Sequence, residues 1–391
     1  MPARDDHGVR ARGSSRKTQL ARKMAKEQKS RVDRWLNRAR NNPIGAVVII
    51  FATIVIGLST FTDAAKRLVN VIPRQGPDEA RLQLSKLSPS FSPDAFVDRA
   101  RVGDVAAVKL FLAAGMDPNV KDSTYQNNTA LIEAVRNRQP VVTAVLLEAK
   151  ANVNLKNADS YTALLWAVGT RQTEILRALL GAGATVDAIN RAFVYAARYG
   201  NLEALGMLWE RGVDRGATAR EALVFAAQGY ATDDSTANRA VQFLLGLGLD
   251  VNARAEDYTP LQRAALGGKL LVAQTLLDRG ASINATCDCK AGEQAYTPLM
   301  LATIYEHKDV ANLLLAKGAD VNQQNAYDGR TALMFAAYRD ESTVRALLER
   351  GARVRDRDRD GKTALAIAEE ELKAGRARPG LVRALKEAAA K

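Results

Sequence analysis

The sequence predicts an all-α solenoid of about eight to nine helix-turn-helix units, preceded by one transmembrane helix. Three observations carry that expectation. A phrase beginning with threonine recurs along most of the chain, a Leu-Leu pair and a glycine follow it at a near-constant distance, and one uncharged apolar stretch lies near the N-terminus. The implied organisation is a basic cytoplasmic tail over 1–42, a membrane span over 43–63, a linker over 64–92 and a repeat domain over 93–391.

The tail concentrates the charge. Of a formal net charge of +13, residues 1–42 hold +9, from thirteen Lys/Arg against four Asp/Glu. The remainder is close to balanced, so the body offers no electrostatic footing for nucleic acid.

Between Arg40 and Asp63 no residue is charged, and Ile44–Thr62 is long enough to span a hydrocarbon core. Such a core is about 30 Å thick and takes about 20 helical residues. The β-branched run Val47, Val48, Ile49, Ile50, Ile54, Val55 and Ile56 suits lipid, where a single segment satisfies its backbone only as helix. The block Asn42–Asp63 resembles anchors found ahead of assorted bacterial domains. Lys23, Lys26, Lys29, Arg31, Arg34, Arg38 and Arg40 precede it, against Lys66, Arg67, Arg74 and Arg81 after it. The positive-inside rule then predicts a single-pass membrane protein with a cytoplasmic N-terminus and an extracytoplasmic, periplasmic repeat domain.

After a linker containing Pro77, Pro89 and Pro93, the repeats begin. Thr129-Ala130-Leu131, Thr162-Ala163-Leu164, Thr259-Pro260-Leu261, Thr297-Pro298-Leu299, Thr331-Ala332-Leu333 and Thr363-Ala364-Leu365 are one phrase. The glycine that follows each Leu-Leu pair is Gly183, Gly248, Gly280 or Gly351, with variants at Gly115, Gly212 and Gly318. Val153-Asn154, Val186-Asp187, Val251-Asn252 and Val321-Asn322 close their units. Threonine fits a helix N-cap, the alanine pairs fit close helix approach, and the glycine fits a left-handed helix end.

With a period near 33 residues and a Thr-Pro-Leu start, residues 94 to about 388 resemble the ankyrin repeat. The departures are local. Ile132, Leu165, Val194, Val224, Gln262, Met300 and Met334 stand where the family typically has a first-helix histidine. Lys150 replaces a helix-ending glycine, Arg191 and Glu221 replace the starting threonine of units four and five, and unit five carries about six extra residues around Gly229–Asn238.

The resemblance implies a cupped stack that binds a partner protein through its fingers and first helices. Tyr161, Tyr258 and Tyr296 directly precede their threonines, and Tyr125 and Tyr327 lie four residues before theirs, so these five are the expected partner-binding residues. Trp166, Tyr195, Phe225 and Phe335, each one residue before an alanine, read as core packing. The longest finger holds Cys287 and Cys289, for which a tight disulfide, a soft-metal site and two inert thiols are the open readings.

Chemistry is otherwise sparse. Two cysteines and two histidines, His7 and His307, fall short of the three or four ligands a zinc site needs. No phosphate loop or nucleophile elbow is present, and Asp98, Glu133, Glu174 and Glu203 read as solvated helix acids. No catalytic residue, metal, cofactor or small-molecule substrate is expected. The function implied is a membrane-anchored protein–protein interaction scaffold, with a regulatory or immunity-type inhibitor subunit of an envelope enzyme or toxin as the alternative.

Overall fold

The computed structural model describes residues 76–86, 90–124, 126–230, 232–286, 295–338 and 340–390. The chain divides after Gly76, and the unit Pro77–Lys391 is the repeat array. Helix α1 (Pro77–Lys86) lies within the stretch expected as linker, and nine helix pairs follow it. These are α2 (Pro93–Val102) with α3 (Val105–Ala113), α4 (Ala130–Arg136) with α5 (Pro140–Glu148), and α6 (Ala163–Gly169) with α7 (Thr173–Gly181). The centre is α8 (Val186–Arg198) with α9 (Leu202–Glu210) and α10 (Ala217–Gln228) with α11 (Asp234–Gly246). Then come α12 (Pro260–Leu266) with α13 (Leu270–Asp278) and α14 (Pro298–Ile304) with α15 (Lys308–Ala316). Last are α16 (Ala332–Ala336) with α17 (Glu341–Glu349) and α18 (Ala364–Lys373) with α19 (Pro379–Ala390). First helices stack on first helices and second on second, giving two layers with one elongated core between them.

The expected span at 43–63 lies outside the described residues. Among the described residues no helix is long and apolar enough to cross a membrane. The longest, α8 and α11, have 13 residues, about 20 Å at 1.5 Å per residue, against the roughly 30 Å of a bilayer core. The fold class is therefore corrected to a helical solenoid with no membrane-crossing helix among the described residues, and a single-pass placement with a periplasmic repeat domain is not supported.

The recurring threonine is an N-cap. Thr129, Thr162, Thr259, Thr297, Thr331 and Thr363 each accept the backbone N–H three residues on, at 3.2–3.4 Å. Each such cap contributes about 1 kcal/mol. Gln262 completes a box by accepting the Thr259 N–H at 2.8 Å. The glycine after the second helix is left-handed, as at Gly183 (φ 97°), and Lys150 is forced into the same region at φ 62°.

Two kinds of clamp tie neighbouring units along much of the array. The asparagine that closes a finger accepts a backbone N–H from the following loop, in the pairs Asn119–Asn152, Asn154–Thr185, Asn252–Ser282, Asn284–Asp320 and Asn322–Arg353, at 2.7–2.9 Å. On the opposite edge, the residue capping a second helix reaches back to a carbonyl ending the previous first helix. Gln172 donates to Val135 at 2.7 Å, Asn201 to Val168 at 2.9 Å, and the His307 ring to Leu266 at 3.0 Å. His307 is thus structural, and its ring lies so close over Gly268 that a Cβ there would come within 2.5 Å of Nδ1.

The central units differ. Fourteen residues separate α5 from α6, but four separate α7 from α8 and six separate α9 from α10. Where fingers stand elsewhere, α8 and α10 are extended to 13 and 12 residues, against seven in α4 and α6. Thr185 caps α8, so Val186-Asp187 opens a helix instead of closing a unit, and Arg191 and Glu221 lie inside helices. The extra residues of unit five lengthen α11 to 13 residues from the nine of α5 and α7.

Candidate partner-binding face

The residue just before the first alanine of each pair occupies one slot on successive first helices: Glu133, Trp166, Tyr195, Phe225, Arg263, Leu301 and Phe335. Trp166, Tyr195 and Phe335 are half-buried there, and Phe225 keeps 8% of its surface. Core packing therefore accounts for Phe225 but for only part of the environment of Trp166, Tyr195 and Phe335, whose outer edges line the first-helix face.

The strip is best developed in units three and four. Tyr161 packs on Trp166 at 5.3 Å between ring centroids and meets Tyr195 edge-on at 6.3 Å, while Tyr195 lies 4.4 Å from Tyr199. Gly169 lies against this cluster, where a Cβ would sit 3.1 Å from the Tyr195 ring, a tight contact. Burial pushes the Tyr195 hydroxyl well above its usual range, helped by the neighbouring Tyr199, so it remains a neutral donor.

Guanidiniums stack along the same strip. Arg136 lies 5.1 Å from the Trp166 ring and Arg198 4.3 Å from Phe225. Arg263 lies 4.3 Å from Tyr258 and 5.4 Å from Phe225, and is held by Glu256 at 2.7 Å. Burial and the Glu256 charge both raise the Glu221 pKa, and Arg198 partly offsets them. Partly desolvated cation–π pairs of this kind contribute about 0.5–2 kcal/mol each.

The described tyrosines expected at the interface fall among different partners. Tyr161 joins the Trp166 cluster, and Tyr258 lies beside Arg263. Tyr296 stands edge-on to Phe335 at 5.6 Å, with its hydroxyl pushed up to about 12 by burial and by Asp328. Tyr327 is 45% exposed on its finger. Tyr125, Cys287 and Cys289 lie outside the described residues.

Sequence reasoning also missed an inward-facing acid. Glu133 is 1% exposed and bonded by Asn128 at 2.6 Å and Asn137 at 2.7 Å, with Arg136 at 3.2 Å. Asn128, the residue before the Thr129 cap, is the local signal that a polar partner is needed inside. Among the described residues no group of His, Cys, Asp and Glu is placed to hold a metal ion.

Helix pairs clamped loop to loop, with rings and arginines shared across neighbouring units, define a protein–protein interaction module. The model of ankyrin repeats in three copies matches residues 98–190, 193–287, 234–325 and 299–388. The chain belongs to the ankyrin-repeat family, whose members are generally non-enzymatic scaffolds. It is also similar to an ankyrin repeat-containing protein of Treponema pallidum (strain Nichols), 33% identical over 97 residues. That match covers 23% of this chain and 32% of the relative, so the chain spans about a third of that protein's length.

Proposed function

We propose that the chain is a scaffold that captures a partner protein on the first-helix face of units two to six, through Trp166, Tyr195, Tyr199, Arg198 and the Arg263–Tyr258 pair. One observation carries this reading: rings and guanidiniums from successive units converge on one strip while the loop polar groups are committed to inter-unit clamps. Aromatic and arginine side chains dominate interface hot spots, the rings through large contact area with few rotors and arginine through a planar charged fork that also stacks on rings.

The test uses the full chain as bait in a lysate, followed by titration with the captured partner. Replacing Arg198→Glu together with Tyr199→Ser is expected to weaken capture by at least about tenfold, as loss of one or two hot spots does, while the chain stays helical and cooperatively folded with a melt lowered by the lost ring and cation–π contacts. Capture that survives the pair of changes rules out this face.

A further inference from the structure

Glu133 stands in the slot that Trp166, Tyr195, Phe225, Arg263, Leu301 and Phe335 fill in other units, yet it faces inward with 1% of its surface exposed. A buried carboxylate is costly unless paired, and apolar residues of similar volume often serve stability as well or better. Stability alone therefore gives little reason for an acid here. What the acid holds gives a better one.

Two chains of contact leave its carboxylate, and both end on Trp166 of the next unit. The first is charged. Arg136 donates to Oε1 at 3.2 Å and carries its guanidinium over the Trp166 ring, 5.1 Å from the centroid. The second is built of amides. Asn128 donates to Oε1 at 2.6 Å, and its own side-chain oxygen accepts from the Asn157 amide at 2.9 Å. Asn157 accepts the Tyr161 backbone N–H at 2.8 Å and donates its own backbone N–H to the Tyr161 carbonyl at 2.9 Å. The Tyr161 ring then packs on Trp166 at 5.3 Å. Asn128 and Asn157 are both buried, so this chain runs through the interior, where hydrogen bonds polarise one another and water does not compete.

Trp166 depends on these neighbours. A buried indole N–H usually finds a partner, but Nε1 of Trp166 is buried and makes no hydrogen bond among the described residues. Its ring is therefore set by what lies against it, and Arg136 and Tyr161 both lead back to one carboxylate.

From this we infer that Glu133 is a positioning residue of the binding strip: its buried carboxylate holds Arg136 and Tyr161 against Trp166 and so fixes the indole in the orientation that meets the partner. The inference rests on the reading of the first-helix face as the capture surface and names a residue that controls it without touching the partner.

The test is fluorine NMR of the full chain labelled with 5-fluorotryptophan. Its three tryptophans, Trp35, Trp166 and Trp209, give three signals, assigned by replacing each in turn with Phe. Glu133→Gln keeps the side-chain volume and removes the charge. It is expected to shift and broaden the Trp166 signal, to leave Trp209 in place, and to weaken binding of the captured partner about tenfold, the size of one hot spot. Arg136→Gln changes a side chain that is 41% exposed and breaks the charged chain alone. It should move the Trp166 signal the same way by less, and the double variant should fall short of the sum, as coupled residues do. Should Glu133→Gln not fold, Arg136→Gln carries the test.

A Trp166 signal that stays put in both folded variants, with only a lower melt, makes Glu133 structural and overturns the inference. So do Trp166 and Trp209 moving together, or partner affinity unchanged while Trp166 moves. Capture that survives Arg198→Glu with Tyr199→Ser while Glu133→Gln still shifts Trp166 sinks the face, not the hold of Glu133 on the indole. Capture lost in that pair with Trp166 unmoved by Glu133→Gln sinks only the positioning.

Discussion

The finger-bearing units and the two central units solve one problem differently. A finger-bearing unit starts a short first helix at threonine and sends an asparagine across to the next loop, as Asn322 does to Arg353 at 2.8 Å. Units four and five convert the finger into helix and join their layers through longer apolar contacts. Phe193 is fully buried against Trp209 at 5.8 Å, and Ala222 to Ala227 form a nearly continuous buried run. The asparagine clamp survives even there, because Asn190, from inside α8, accepts the Asp214 N–H at 2.9 Å. The lesson is that the clamp belongs to the stacking of units rather than to the finger.

The hardest test of that contrast is Phe193→Ala. Emptying a buried aromatic site costs about 3–5 kcal/mol, and urea unfolding should show a loss of that size, with the centre of the array exchanging first. A loss below about 1 kcal/mol, less than one buried methyl pair, would break the view that packing replaces fingers in the centre.

A smaller effect separates the clamps. Asn322→Ala and Asn190→Ala each remove an exposed hydrogen bond to a backbone N–H, which costs about 0.5–1.5 kcal/mol. Equal losses in equilibrium unfolding support one shared device. A silent Asn190→Ala would make the central units independent of it.

The smallest effect concerns charge. The folded pKa of Glu221 is raised, so its protonated form favours folding below about pH 4.5 and that advantage is lost as pH rises through the folded value. Glu221→Gln should therefore melt slightly above the parent at pH 7 and match it at pH 4. A difference that does not change with pH would assign the effect to packing.

Much of the array was legible because its signals are local. Thr129, Thr259 and Thr363 mark helix starts through a bond to a residue three positions on, which a recurring phrase exposes directly. The long central helices were not legible, since Val186-Asp187 has the same composition as a unit-closing pair while Thr185 turns it into a first helical turn. The binding strip was only half legible. Trp166 and Tyr195 occupy a framework slot, and their ring and guanidinium partners Tyr161, Tyr199 and Arg136 come from neighbouring turns and units that no local phrase reveals. The Asn clamps were visible as a motif but not as bonds, because their partners are backbone groups about thirty residues away.

Those clamps also set how the molecule yields to force. Each one reaches the adjoining unit and no farther, as Asn154 does to Thr185 and Gln172 to Val135. Tension applied at Lys391 therefore falls first on the terminal pair alone, and the array should lengthen stepwise, shedding one pair per rupture and regaining it on relaxation, since refolding needs only short-range contacts with the neighbour still in place.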